Sequence, residues 1–258
     1  MQFLVTDDNI MVIELNLRAS RTCPFVSKTI GTDLVKVATK VMVGAELDLK
    51  ELPTLETPHN PVDYVGIKAP MFSWPRLRDA DPLLRCEMSS TGEVACFAPD
   101  VHTAFLKSLI SAGFKLPPKG GNIMIGIQQS FQPAFLPTAK KLHDLGYKLC
   151  ATEATAEYLN KHNIPADIVG WPASDNTCEN VGIATKLIQE KAIDLVINLP
   201  NNNTKYVQDN YMIRRMSIDS QTPLVTNFQI AKLLTESLAK EDQMRPDSLF
   251  HYQKRATV

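Results

Sequence analysis

Much that would assign a function quickly is missing from this sequence. Its five cysteines, at positions 23, 86, 96, 150 and 178, include no CxxC pair, and its five histidines are scattered without a motif. That spacing excludes a zinc cluster and a disulfide framework; it predicts buried, reduced thiols in a reducing compartment, the cytosol or the mitochondrial matrix. An excess of charge is missing too, since 27 Lys and Arg against 28 Asp and Glu leave a formal net charge of −1. Neither nucleic acid nor an anionic membrane surface is therefore expected as a main partner. No apolar run approaches the roughly 20 residues that span a bilayer, and the N-terminus carries no secretory signal. Met1-Gln2-Phe3 starts directly on a strand-like run, as a segment cut from a longer chain would.

What is present is enough apolar sequence for a full core, 44% hydrophobic against 21% charged over 258 residues, one large or two ordinary domains. Phe3–Thr6 and Ile10–Asn16 flank Asp7-Asp8-Asn9 and predict a β-hairpin. Helical spacing covers Thr29–Val43, Glu51–Pro61 is Pro-rich and extended, and Tyr64–Ala69 and Val94–Ala98 are short strand candidates. A helix over Asp100–Ala112 ends at Gly113, and the Pro- and Gly-rich Lys115–Gly121 is the best domain boundary. Beyond it the pattern turns regular. Strands at Ile123–Ile127, Lys148–Ala151, Ala166–Val169, Leu195–Leu199 and Leu224–Thr226 alternate with helices at Pro133–Leu145, Ala154–Lys161, Asn180–Lys191, Val207–Ser217 and Phe228–Leu238. Five β–α alternations predict a parallel sheet covered on both faces. Glu241–Val258 reads as a polar tail, with Leu249-Phe250 docking back.

Two stretches carry chemistry. Leu195–Leu199 stops at Pro200 and is followed by Asn201-Asn202-Asn203-Thr204-Lys205. In an open parallel sheet, ligands bind beyond the carboxyl ends of the strands, and amides, a hydroxyl and an ammonium there suit a small polar anion. The same residues also describe an ordinary polar loop, because Asn is a common turn former. In the N-terminal stretch Glu14, Asn16 and Arg18 alternate along the second hairpin strand and share one face. A carboxylate and an amide oxygen suit Mg²⁺, and a guanidinium suits a phosphate, although a solvated strand face shows the same alternation.

These residues sit in motifs that resemble a known family. IELNLRASRTCPFVSK is similar to the metal-binding end of the ATP-grasp fold in carbamoyl-phosphate synthases, and APMFSWPRL and EMSSTGEVACF resemble the close of the same synthetase unit. ATEATAEYLN and DLVINLPNNNTKYVQDNY resemble the family's C-terminal regulatory domain, so the resemblance covers essentially the whole chain and is nearest the vertebrate mitochondrial, ammonia-using branch. It implies the C-terminal end of an ATP-grasp unit over residues 1–45, a closing and connecting segment over 46–115, and a methylglyoxal-synthase-like, Rossmann-like parallel-sheet effector domain over 116–258. It implies an ATP-dependent ligase of the urea cycle that makes carbamoyl phosphate from ammonia, bicarbonate and two ATP in the mitochondrial matrix, with the remainder of the synthetase chain as partner.

Residue by residue, the resemblance implies that Glu14 and Asn16 bind the Mg²⁺ accompanying ATP, and that Arg18, assisted by Arg21, contacts the transferred phosphoryl group. The nucleotide clamp is expected before Met1, so this chain by itself is expected to be inactive. The activator N-acetylglutamate is implied to bind Thr152, Thr155, Trp171, Asn198, Asn201 and Asn210, with Lys205 as a second countercharge. Trp74 is expected in structural packing, and Arg214-Arg215 on a solvated helix face or in an interdomain contact. Two alternatives keep the fold. A nucleotide effector such as UMP calls for basic residues and glycines in these loops, and a methylglyoxal-synthase-like lyase needs Gly-Gly-Asp and a general base. WPASDNT, with Asp175 and Asn176, and INLPNNN carry neither the glycines nor the second Asp.

Overall fold

The first two apolar runs pair in antiparallel fashion as β1 (Gln2–Val5) and β2 (Ile10–Glu14). Their turn is closed by Thr6, whose N–H and hydroxyl both donate to the Asn9 carbonyl, at 2.9 and 3.3 Å. The computed structural model describes residues 1–18, 20–48, 63–83, 90–172, 183–199 and 206–255, in two units: Met1–Gly66 with Asp247–Val258, and Ile67–Pro246. In the smaller unit, Phe3, Leu4, Val12 and Ile13 are all exposed, although a lone two-stranded ribbon is marginal in water. The expected strand to Asn16 stops at Glu14, so Asn16 and Arg18 lie beyond it.

The helix expected over Thr29–Val43 is two helices, α1 (Thr22–Ile30) and α2 (Leu34–Met42). Gly31, at φ 72°, ends the first in the left-handed region, and the Asp33 carboxylate caps the second by accepting from the Lys36 N–H at 3.0 Å. The tail is also more ordered than its polarity predicts. Leu249–Arg255 is helical, with Leu249 half-buried, and the side chain it buries most fully among those described is Tyr252. Its ring lies 5.6 Å from that of Tyr64, whose hydroxyl donates to the Thr29 carbonyl at 2.7 Å.

The larger unit takes most of β3 (Val65–Met71), which forms a two-stranded sheet with β4 (Gly92–Ala98). Trp74 stacks on Phe72, ring centroids 5.4 Å apart, as packing predicts. Helix α3 (Val101–Ser111) follows, ending before Gly113 at φ 87°. From there strands and helices alternate: β5 (Asn122–Gly126), α4 (Gln132–Asp144), β6 (Lys148–Thr152), α5 (Glu153–Lys161), β7 (Ala166–Val169), α6 (Ala184–Gln189), β8 (Leu195–Asn198), α7 (Val207–Asp219), β9 (Leu224–Val225) and α8 (Phe228–Leu238). The five strands are all parallel in the order β7-β6-β5-β8-β9. The expected helix from Asn180 is shorter where described, and Glu51–Pro61 lies outside the described residues.

Period-two alternation sends the apolar residues of the central strands to two cores. Ile123, Ile125, Leu149, Ala151, Leu195 and Ile197 face a cluster built with residues of α3, α4, α5 and α8, while Met124, Cys150 and Val196 face one built with α6 and α7. Burial pushes the Cys150 thiol up to about 12, with Asp167 adding to it, so this cysteine behaves as a small hydrophobe. Cys23 and Cys96 are free but only half-buried, and Cys86 and Cys178 lie outside the described residues.

Asp100 joins α3 to the end of α8. Its carboxylate accepts from the N–H groups of His102 and Thr103, from the Thr103 hydroxyl at 2.8 Å, and from Lys240 Nζ at 3.2 Å. Desolvation raises its pKa, but the Thr103 bonds and then Lys240 outweigh it and hold the group at about 2. A folded-state value below the unfolded one contributes stability above pH ~4 that disappears as pH falls through about 2. Asp100→Asn keeps a capping side chain and removes the charge, so its urea midpoint should fall below wild type at pH 7, by no more than about 1 kcal/mol at this half-exposed site. The gap should close between pH 4 and 2. A gap independent of pH would contradict the assignment.

Candidate functional site

The strand order reverses at β5, whose neighbours are β6 on one side and β8 on the other, and this is where an open parallel sheet leaves a crevice for ligands. Register levels the carboxyl ends: Thr152 pairs with Val169, and Gly126 pairs with Asn198. Gly126 leaves the space that Asn198 uses, since a Cβ there would lie 3.0 Å from the Asn198 Nδ2.

Asn198 is 0% exposed, so its amide has to find its partners inside the protein. Its Nδ2 donates to the Asn210 Oδ1 at 2.8 Å, and its Oδ1 accepts from the Arg214 Nη1 at 3.1 Å. Asn210 in turn donates from Nδ2 to the Tyr206 carbonyl at 2.7 Å. Tyr206 stacks on Trp171, with centroids 4.6 Å apart and planes at 17°. Trp171 also packs against the cluster around Met124 and Ile213. Asn198, Asn210 and Trp171 are thus joined through one chain of contacts.

The two threonines sit at the other side of β5. Thr152 is buried, stands in the N-cap position of α5 with extended φ and ψ, and makes no side-chain cap bond. Thr155 is 1% exposed, and its hydroxyl donates to the Ile127 carbonyl at 3.4 Å and accepts from the Gln132 Nε2 at 3.3 Å. Here Thr155 ties the end of β5 to α5 and α4. Asn201 and Lys205, and with them Asp175 and Asn176, lie outside the described residues.

Of the two expectations for Arg214, a solvated helix face or an interdomain contact, the structure excludes the first: its side chain is 5% exposed. Beyond Asn198 it grips Asp81 in a fork, Nε to Oδ1 at 2.8 Å and Nη2 to Oδ2 at 2.7 Å. Arg215 is the more open of the two, pairing with Asp219 and donating to the Leu77 carbonyl at 3.1 Å. Sequence reasoning missed Tyr206, Gly126 and Asp81 altogether. Tyr206, Asn210 and Arg214 are spaced by four, so helical periodicity from Asn210 was the signal that puts them on one face.

In the smaller unit, the Asn16 Nδ2 donates to the Glu14 Oε1 at 3.0 Å, and both side chains are exposed. The proximity comes from this bond rather than from strand alternation. A carboxylate and an amide oxygen on exposed side chains are hard donors of the kind that suit a divalent cation whose other ligands are phosphates and water. Arg18 is exposed three residues before the turn into α1. Among the described residues no cluster of three or more His, Cys, Asp or Glu could hold a metal by itself, and no helix is long and apolar enough to cross a membrane. A cavity of about 830 Å³ in the larger unit is lined by Ile67, Phe72, Trp74, Leu109 and Pro223, and by none of the predicted effector residues among those described.

Comparison with known proteins adds to this geometry. Residues 134–226 match the MGS-like domain family, and residues 1–50 match the carbamoyl-phosphate synthase L chain, ATP binding domain. The chain is 60% identical over 98% of its length to the mitochondrial carbamoyl-phosphate synthase [ammonia] of Homo sapiens, and 59% identical over 98% to that of Aquarana catesbeiana. It is 43% identical over 94% of its length to the multifunctional protein pyr-3 of Neurospora crassa. It spans 17% of the length of each synthase and 13% of the Neurospora protein. The stretch it matches is the C-terminal region of the synthases.

Arg214→Leu removes the donor from a buried amide oxygen while leaving the partly exposed Asp81 carboxylate able to turn to water. An orphaned buried acceptor costs about 1–3 kcal/mol, so the urea midpoint should drop accordingly with the far-UV spectrum unchanged. A change under about 0.5 kcal/mol would mean that Asn198 does not depend on Arg214.

Proposed function

We propose that this chain, similar over 98% of its length to the C-terminal region of mitochondrial carbamoyl-phosphate synthases, is the effector-binding end of such a synthase and binds N-acetylglutamate at the carboxyl edge of its parallel sheet. The observation that carries the reading is the convergence of Thr152, Trp171, Asn198 and Asn210 on the reversal of strand order, in a chain whose identity to the ammonia synthases exceeds that to the multifunctional protein. The crevice supplies what an acetylated dicarboxylate asks for. The first-turn N–H groups of α5 behind Thr152 favour a carboxylate, the asparagine amides match an amide, and the Trp171–Tyr206 stack offers an apolar wall. Thr155 and Asn201 complete the set, with Lys205 as countercharge. A nucleotide effector would call for several basic residues and glycines in these loops, and Arg214 is already committed to Asp81.

The remaining parts follow the same reading. Residues 1–45 end the second ATP-grasp domain, 46–115 close and connect the synthetase unit, and 116–258 form the effector domain. Glu14 and Asn16 would hold the Mg²⁺ that neutralises the phosphates of ATP, and Arg18, with Arg21, would meet the phosphoryl group in transit to carbamate. The rest of the synthetase chain supplies the nucleotide clamp. The exposed apolar faces of β1 and β2 are the kind of surface that such a partner covers. The whole enzyme acts as an ATP-dependent ligase making carbamoyl phosphate from ammonia and bicarbonate, in the mitochondrial matrix, and the effector raises its activity by binding one conformation better than another.

Calorimetric titration tests this directly. N-acetylglutamate should bind the chain saturably and UMP should not, and Thr152→Ala should weaken binding at least tenfold, about 1.4 kcal/mol. Saturable binding of UMP, with no heat from N-acetylglutamate, would keep the fold and overturn the ligand.

A further inference from the structure

Helix α7 holds a second segment besides the edge of the sheet. On one side Asn210 and Arg214 reach Asn198. On the other, three side chains grip the stretch Leu77–Asp81, which follows β3 and precedes the parallel sheet by some forty residues of sequence. The Tyr211 hydroxyl donates to the Asp79 carbonyl at 3.0 Å, Arg215 donates to the Leu77 carbonyl at 3.1 Å, and Arg214 forks onto Asp81. Asp79 is held at φ 58°, a conformation non-glycine residues seldom keep without such support. Arg214 is therefore shared between the crevice and this segment.

The sharing has a physical consequence. A guanidinium can only donate, and with Nε and Nη2 on Asp81 its plane is set by that carboxylate, so the direction in which Nη1 meets the Asn198 oxygen is set too. If the Asn198 amide moves to accommodate a ligand, the fork on Asp81 has to turn or break. We propose that Asp81 and Arg214 form the coupling latch of the effector site: Arg214 is a positioning residue for Asn198, and Asp81 is where the connecting segment senses whether the crevice is filled. This rests on the effector reading of the crevice, and it adds the route by which occupancy leaves the domain.

The test uses the full-length synthase, measuring N-acetylglutamate affinity and the ratio of activity with and without saturating effector. Asp81→Asn keeps the shape and removes the charge that fixes the fork. It should leave the dissociation constant within threefold of wild type while the activation ratio falls at least fivefold, and Asp81→Glu, which restores a carboxylate, should recover part of that ratio. A general loss of structure would not divide binding from activation in this way. A fall of less than fivefold in the activation ratio of Asp81→Asn would overturn the latch, and so would a rise of more than threefold in the dissociation constant, since Asp81 would then belong to the scaffold of the pocket. If wild type itself neither binds nor responds to N-acetylglutamate, it is the effector reading that fails.

Discussion

The structure depends on how one buried amide is satisfied. Asn198 ends a strand whose every residue is buried, so each of its polar atoms has to be met by a protein group at a defined angle. A cation that can only donate claims the oxygen, and an amide oxygen that can only accept claims the nitrogen. The orientation of Asn198 is thereby dictated, and with it the rotation of α7, which carries both partners. The bonds run on without a break from Arg214 through Asn198 and Asn210 to the Tyr206 carbonyl, the arrangement in which buried hydrogen bonds reinforce one another.

The sheet makes that unit useful. Strands buried on both faces have no freedom to slip, since a shift of one residue would exchange the two cores. The carboxyl edge is therefore a rigid rim on which Gly126, Thr152 and Asn198 keep level positions. The reversal of strand order at β5 is where the rule for open parallel sheets expects a crevice. The smaller unit is built in the opposite sense. Neither α1 nor α2 buries a residue, and β2 is exposed along its length.

The parallel sheet was legible because its signals are local and repeated: short apolar runs, helical spacing, and Gly113 and Gly146 where helices end. Thr152, Trp171 and Asn198, which the family resemblance implies, lie at or just past the points where those runs stop. What was not legible depended on long-range partners. Nothing near Arg214 in sequence announces Asp81, which lies 133 residues away, and an Arg-Arg pair reads equally as a solvated face or a contact between segments until burial is known. Tyr252 was overlooked for the same reason, because its partner Tyr64 belongs to a distant segment. The single helix read over Thr29–Val43 failed on a local signal that was misjudged, Gly31 followed by a capping Asp33.

The central claim is that an acetylated dicarboxylate is sensed through the Asn198 amide. The most direct measurement is the side-chain amide spectrum of the chain labelled with ¹⁵N at asparagine, followed as N-acetylglutamate is added. The account predicts that the NH₂ resonances of Asn198 and Asn210 shift together along one saturation curve, and that UMP leaves them in place. Saturable binding that moves other resonances and leaves these two unchanged would contradict it.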